Sequence, residues 1–233
     1  MPLLNLGYVW KKQNFETMNN AQALKRKLKQ LHDQITEDQS IRLHRAISWL
    51  KCAEEQSAHA DLQFISLWIS FNACYANDEK KATEATEKGL FNDFIQKLIV
   101  HDTEKRFFKL LWEKFSGPVR LLIENEYVFK PFWDFQRGEI KNWKRMHEES
   151  VVAANKHLAK QDVPKMLEVV LDRLYTLRNQ MIHGGATCKS KVNRSQLRDA
   201  INILKLIVPL IIEIMIENSH EDWGKIHYPV VSA

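Results

Sequence analysis

Glycine is scarce: seven residues in 233, about 3% against a typical ~7%. A fold of many tight β-turns needs more positions of positive φ than that. Proline numbers only six, and no Gly/Ser-rich or low-complexity tract divides the chain. The three cysteines (Cys52, Cys74, Cys188) are widely spaced and outside any CxxC pattern. That excludes a disulfide scaffold or zinc ribbon and reads as reduced thiols in a cytoplasmic protein. No signal peptide is visible. The most apolar stretch, Ile201 to Ile216, is too short for a membrane span and contains Lys205, Pro209 and Glu213. A phosphate-cradling GxxxxGK[ST], a GxSxG elbow, a dinucleotide fingerprint and HExxH are all missing. Nothing therefore points to an ATPase, a serine hydrolase, a dehydrogenase or a zinc protease. The nine histidines show no ligand spacing, so the expectation is no metal and no cofactor.

What is present is material for a helical core. Hydrophobic residues make up 45%, with seven Trp and eleven Phe to fill an interior. Lys and Arg exceed Asp and Glu by 34 to 29, a net +5 that permits an anionic partner without requiring one. Helical spacing predicts a basic amphipathic helix over Ala21–Ile35 and a second over Ser40–Gln56. A third, Leu62–Tyr75, is capped by Asp61 and apolar nearly all round, as the centre of a bundle should be. Shorter helices are expected over Leu90–Val100 and Thr103–Phe115, with Gly117-Pro118 breaking the second. Residues 127–147 read as irregular at first and then helical. Asp162 before Pro164 opens a helix that reaches Ile182 and ends at Gly184-Gly185. The last long helix starts at Asn193 or Ser195, is kinked at Pro209 and reaches about Asn218. The ending DWGKIHYPVV is expected to pack on the body as an extended tail.

The end of the 162–182 helix stands out chemically. Arg178, Asn179 and His183 sit together at the terminus of a core-forming helix, before the only Gly-Gly pair. On an unbroken helix Arg178 and His183 point roughly 140° apart; they converge only if the helix stops near His183. Two cations at a helix C-terminus also suit the helix dipole, with no further role required.

The segment RLYTLRNQMIHGGAT, preceded by a helix carrying LWISFNACY, resembles the HEPN superfamily, whose hallmark is Arg-x4–6-His with a polar residue often following the Arg. YVFKPFWDFQRG, VNRSQLRDA and DWGKIHYPVV extend the resemblance to free-standing bacterial HEPN proteins over most of the chain from about residue 40. The resemblance implies an all-α, HEPN-like bundle over 37–233 with helices inserted around 80–160, preceded by a basic helical segment over 1–36. It also implies a homodimer joined through the motif region. The implied activity is metal-independent endoribonuclease, in a toxin or antiviral-defence effector; the alternative is a non-catalytic module that binds RNA, nucleotides or a partner protein. Arg178, Asn179 and His183 are then the catalytic candidates, with Asn72 and Tyr175 supporting them from behind. An antitoxin or other regulatory partner is implied too. Some HEPN toxins carry a Tyr two residues after the His that a partner nucleotidyltransferase modifies; this chain has Gly185 there.

RNA cleavage by 2′-hydroxyl attack suits these residue types. Histidine titrates near neutral pH without tuning, and the planar fork of Arg matches charge building on phosphoryl oxygens. A second candidate surface lies in 127–147, where aromatics interleave with Lys130, Arg137, Lys141, Lys144 and Arg145. Such a pattern can stack bases and hold phosphates, or merely pair core aromatics with solvated cations. Asp134 with Glu139-Ile140-Lys141 superficially matches a metal nuclease, but that site needs paired strands and no hairpin is legible.

Overall fold

In the computed structural model, residues 20–31, 34–76, 84–114, 116–191 and 194–231 are described. They form ten α-helices and no strand. The all-α expectation holds.

Helix α1 (Ala21–Gln30) is capped by the Asn20 side chain, and α2 (Glu37–Glu55) by Thr36. Helix α3 (Ala60–Tyr75) is the hub, packed on α2 over its whole length. Two of its buried polar groups bond α2 carbonyls: Gln63 Nε2 donates to Ala53 at 2.9 Å and Ser70 Oγ to Ala46 at 2.7 Å. Phe64, Leu67 and Phe71 are fully buried beside them. Asp61 is not the cap of α3, as expected from sequence; it lies in the first turn, where Arg194 takes its carboxylate.

Helix α4 (Glu84–His101) is followed by a break at Asp102. That carboxylate accepts from the Phe107 amide at 2.8 Å and so starts α5 (Arg106–Phe108), which runs on as a π-helical turn over Lys109–Lys114. The expected helix over 103–115 therefore starts later, at Arg106, and turns π-helical from Lys109; Phe115 lies outside the described residues. Pro118 falls in the first turn of α6 (Ser116–Glu124), the position where its missing N–H costs nothing.

Residues 127–147 depart from expectation in their order. A 3-10 turn (Glu126–Val128) leads into α7 (Lys130–Gln136), seeded by Pro131, and a turn over 137–143 separates it from α8 (Lys144–Lys160). Gly138, at φ +78°, ends α7.

Helix α9 (Val163–Ile182) begins and ends where its caps dictate: the Asp162 side chain accepts from the Lys165 amide, and His183 is the C-cap. Helix α10 (Arg194–Glu217) buries most of its length, Pro209 included; Asn193, the alternative start, is outside the described residues. Its buried Glu213 pairs with Lys27 of α1 and, at 3.5 Å, with Arg106. Residues 218–231 follow as an extended tail, with Trp223 and Ile226 buried. The Arg42 guanidinium, 1% exposed, fastens it by donating to the carbonyls of Gly224 and Lys225 and to those of Cys74 and Ala76 at the end of α3. No described helix is long and apolar enough to cross a membrane.

Candidate active site

The motif occupies the last turn of α9 and the turn beyond it. Gly184 takes φ +70°, and two backbone bonds close the helix: Gly185 N–H to the Gln180 carbonyl at 2.6 Å and Gly184 N–H to the Met181 carbonyl at 3.2 Å. This is a Schellman turn, which a left-handed residue at the first position past the cap makes possible. Gly185 is also required sterically, because a Cβ there would stand 2.9 Å from the Gln180 oxygen. His183 is thereby presented, exposed, at a fixed corner of the backbone.

Arg178 is half-buried on α9, five residues before His183 and about 140° around the unbroken helix from it. Its Nη1 donates to Asn179 Oδ1 at 2.8 Å, and its guanidinium carbon lies 5.8 Å from the centre of the Tyr175 ring. The Arg178 Nε is buried without a hydrogen-bond partner. Tyr175, 43% exposed, leans inward on Trp68 of α3 at 6.1 Å between ring centres. Arg178, Asn179 and Tyr175 thus form one connected group. His183 joins it only through the backbone, donating its amide to the Asn179 carbonyl at 3.0 Å; no hydrogen bond or ring contact links its imidazole to Arg178. Asn72 lies one helical turn beyond Trp68, with its Oδ1 buried and unpartnered, and makes no side-chain hydrogen bond to the motif.

Sequence reasoning did not single out the clamp behind this corner. Asp61, at the start of α3, binds Arg194 through both oxygens at 2.8 Å and accepts from the Lys189 amide at 3.2 Å. A fork-to-fork pair of this kind is the strong form of an ion pair. It holds the Asp61 carboxyl below its ordinary range, the Arg194 hydrogen bonds being the largest cause. Asp61 and Arg194 line a small hollow with Gln180, Met181 and Ala186, which places the 184–191 loop against the last turn of α9.

The 127–147 segment packs on another face of α9. Gln180 Nε2 donates to the Tyr127 carbonyl at 2.5 Å, and the Arg173 guanidinium lies 4.4 Å from the centre of the Phe129 ring. Arg173 is 1% exposed, and burial lowers its pKa to about 10. His147 touches the edges of Phe129 and Trp143; burial first, and then the charge of Arg173, push its pKa below the usual histidine value. Phe132 meets Tyr127, Trp133 and Trp143 edge-on. Three of the five cations picked from sequence are ion-paired: Lys130 with Asp134, Arg137 with Asp134 and Glu139, Arg145 with Glu149. Lys141 and Lys144 are exposed and make no ion pair among the described residues.

No group of three or more His, Cys, Asp or Glu among the described residues is arranged to hold a metal ion. No protein-family model matches this chain, and neither a curated protein nor a solved structure is similar enough to count as a match.

Proposed function

We propose that the protein is a HEPN-type, metal-independent endoribonuclease, working as a toxin or antiviral-defence effector in the cytoplasm. One observation carries the reading: a Schellman turn built by Gly184 and Gly185 holds an exposed His183 one helical turn past Asn179, whose side chain engages Arg178 together with Tyr175 on the same helix. Asn179 takes one side of the guanidinium and orients it. In the reaction, the 2′-oxygen attacks phosphorus, the bond to the 5′-oxygen breaks, and a 2′,3′-cyclic phosphate and a 5′-hydroxyl result. His183 moves a proton at one of these oxygens. Arg178 neutralises charge on the phosphoryl oxygens.

The reaction needs a proton removed at the 2′-oxygen and another delivered at the 5′-oxygen, and each motif holds one histidine. A homodimer with the motif near its two-fold axis places two copies of each residue in one cleft. The free imidazole of His183, and the exposure of Tyr175 and of Ile182 at 51%, support that arrangement. The test is end-group analysis of RNA digested by purified protein in excess EDTA. Cyclic phosphate ends in EDTA, with 2′-deoxy substrate untouched, are expected. Cleavage that needs a divalent ion, or that spares no 2′-deoxy strand, would overturn the mechanism. Tight RNA binding without cleavage would leave the non-catalytic module.

A further inference from the structure

We propose that the loop after the motif, residues 186–191, forms the rim that holds the RNA backbone beside His183, with Lys189 as its anchoring cation. The proposal rests on the RNA-cleaving reading and assigns that site its phosphate contacts. The cations of the 127–147 segment are weaker candidates for the task, since three of the five are ion-paired with carboxylates. Lys189 and Lys191 are exposed and make no ion pair among the described residues.

The backbone at Lys189 sets it apart. Its φ is +59°, a region that glycine enters freely and a residue with a Cβ enters at a cost. Lys105 and Gln161 also have positive φ, and their own amides bond carbonyls three residues back. The Lys189 amide instead bonds the carboxylate of Asp61, 128 residues away, the same group that grips Arg194. Lys189 is the third residue of a turn that the Ser190 N–H closes on the Thr187 carbonyl at 3.0 Å, and Asp61 pins that turn from outside the loop, in a clamp seated against the last turn of the motif helix. What a lysine adds there over glycine is its ammonium, carried by a fixed backbone a few residues past His183. Strained positions held in this way concentrate at functional sites.

The substitution Lys189→Gly separates the side chain from the fold, because glycine accepts the positive φ while the lysine side chain and its cation are removed. The probe is a single-stranded RNA oligonucleotide with 2′-O-methyl groups, which binds without being cleaved. Its affinity is followed by fluorescence anisotropy over a salt series, beside thermal unfolding of each variant. Lys189→Gly is expected to unfold at or above the wild-type temperature yet bind roughly 3- to 10-fold more weakly. Its log–log salt slope should fall by about 0.7, the value of one single-strand phosphate contact. Lys189→Arg should bind like wild type, and Asp61→Asn should weaken binding by loosening the loop. Wild-type affinity and slope in Lys189→Gly, with the parent cleaving RNA, would overturn this assignment alone. Lys189-dependent binding by a protein that never cleaves unmodified RNA would uphold the loop and defeat the nuclease reading.

Discussion

Replacing Arg42 by methionine should be among the most damaging single changes in the protein. Methionine keeps much of the apolar stem and removes the guanidinium, which serves four carbonyls at 2.9 to 3.1 Å. Two of them, from Cys74 and Ala76, belong to the end of α3, where the last carbonyls have no intrahelical donor. If the tail stays down in the variant, buried carbonyls are left unpaired at about 1–3 kcal/mol each. If the tail lifts to let water in, Trp223 and Ile226 lose their burial at roughly 1.5–3 kcal/mol each. The cheaper route bounds the loss, so about 3–5 kcal/mol is expected, the range seen when one partner of a buried charged contact is removed. For a chain of this size that is a fall of roughly 6–20 °C in Tm. Urea unfolding followed by both tryptophan fluorescence and far-ultraviolet circular dichroism measures it, and a tail that lifts first separates the two signals. A loss below about 1 kcal/mol with coincident signals would refute the clamp.

Three further outcomes are expected. Gly184→Ala, at φ +70°, should cost about 1–2 kcal/mol and reduce RNA cleavage by misplacing His183; unchanged thermal unfolding would show that the Schellman turn does not need glycine there. His147 is held below its ordinary pKa of 6.5, so between its folded pKa and 6.5 the unfolded chain binds more protons and stability rises with pH. Wild-type urea midpoints should fall as pH drops below about 6.5, while His147→Phe is flat across that window; parallel profiles would contradict the burial of the imidazole. Specific activity should fall on dilution together with the dimer fraction seen by light scattering, and a monomer that keeps full activity at every concentration would place both proton transfers within one chain.

How much was legible in the sequence depended on how local the signal was. Helix α9 carries its own punctuation: Asp162 caps it, Pro164 opens it, and Gly184 with Gly185 closes it, so its bounds and the place of His183 were readable. The segment over 127–147 reads as irregular at first, whereas Pro131 and Gly138 delimit a short helix. Its ion pairs were partly readable, since Lys130–Asp134 and Arg145–Glu149 stand at the i,i+4 spacing that brings side chains together on a helix. The Asp61–Arg194 clamp was not. Its partners lie 133 residues apart, and only the packing of α3, α9 and α10 brings them within reach. Nor could spacing alone show that Arg178 turns to Asn179 and Tyr175 while the His183 ring stays free, because that choice is made by side-chain rotation.

The most direct measurement compares RNA cleavage by the wild-type protein with that of an Arg178→Ala/His183→Ala double variant, both purified identically and shown to fold alike. Fragments ending in 2′,3′-cyclic phosphate with the wild type, and intact RNA with the double variant, are expected. Equal cleavage by the two proteins would contradict the assignment of the site.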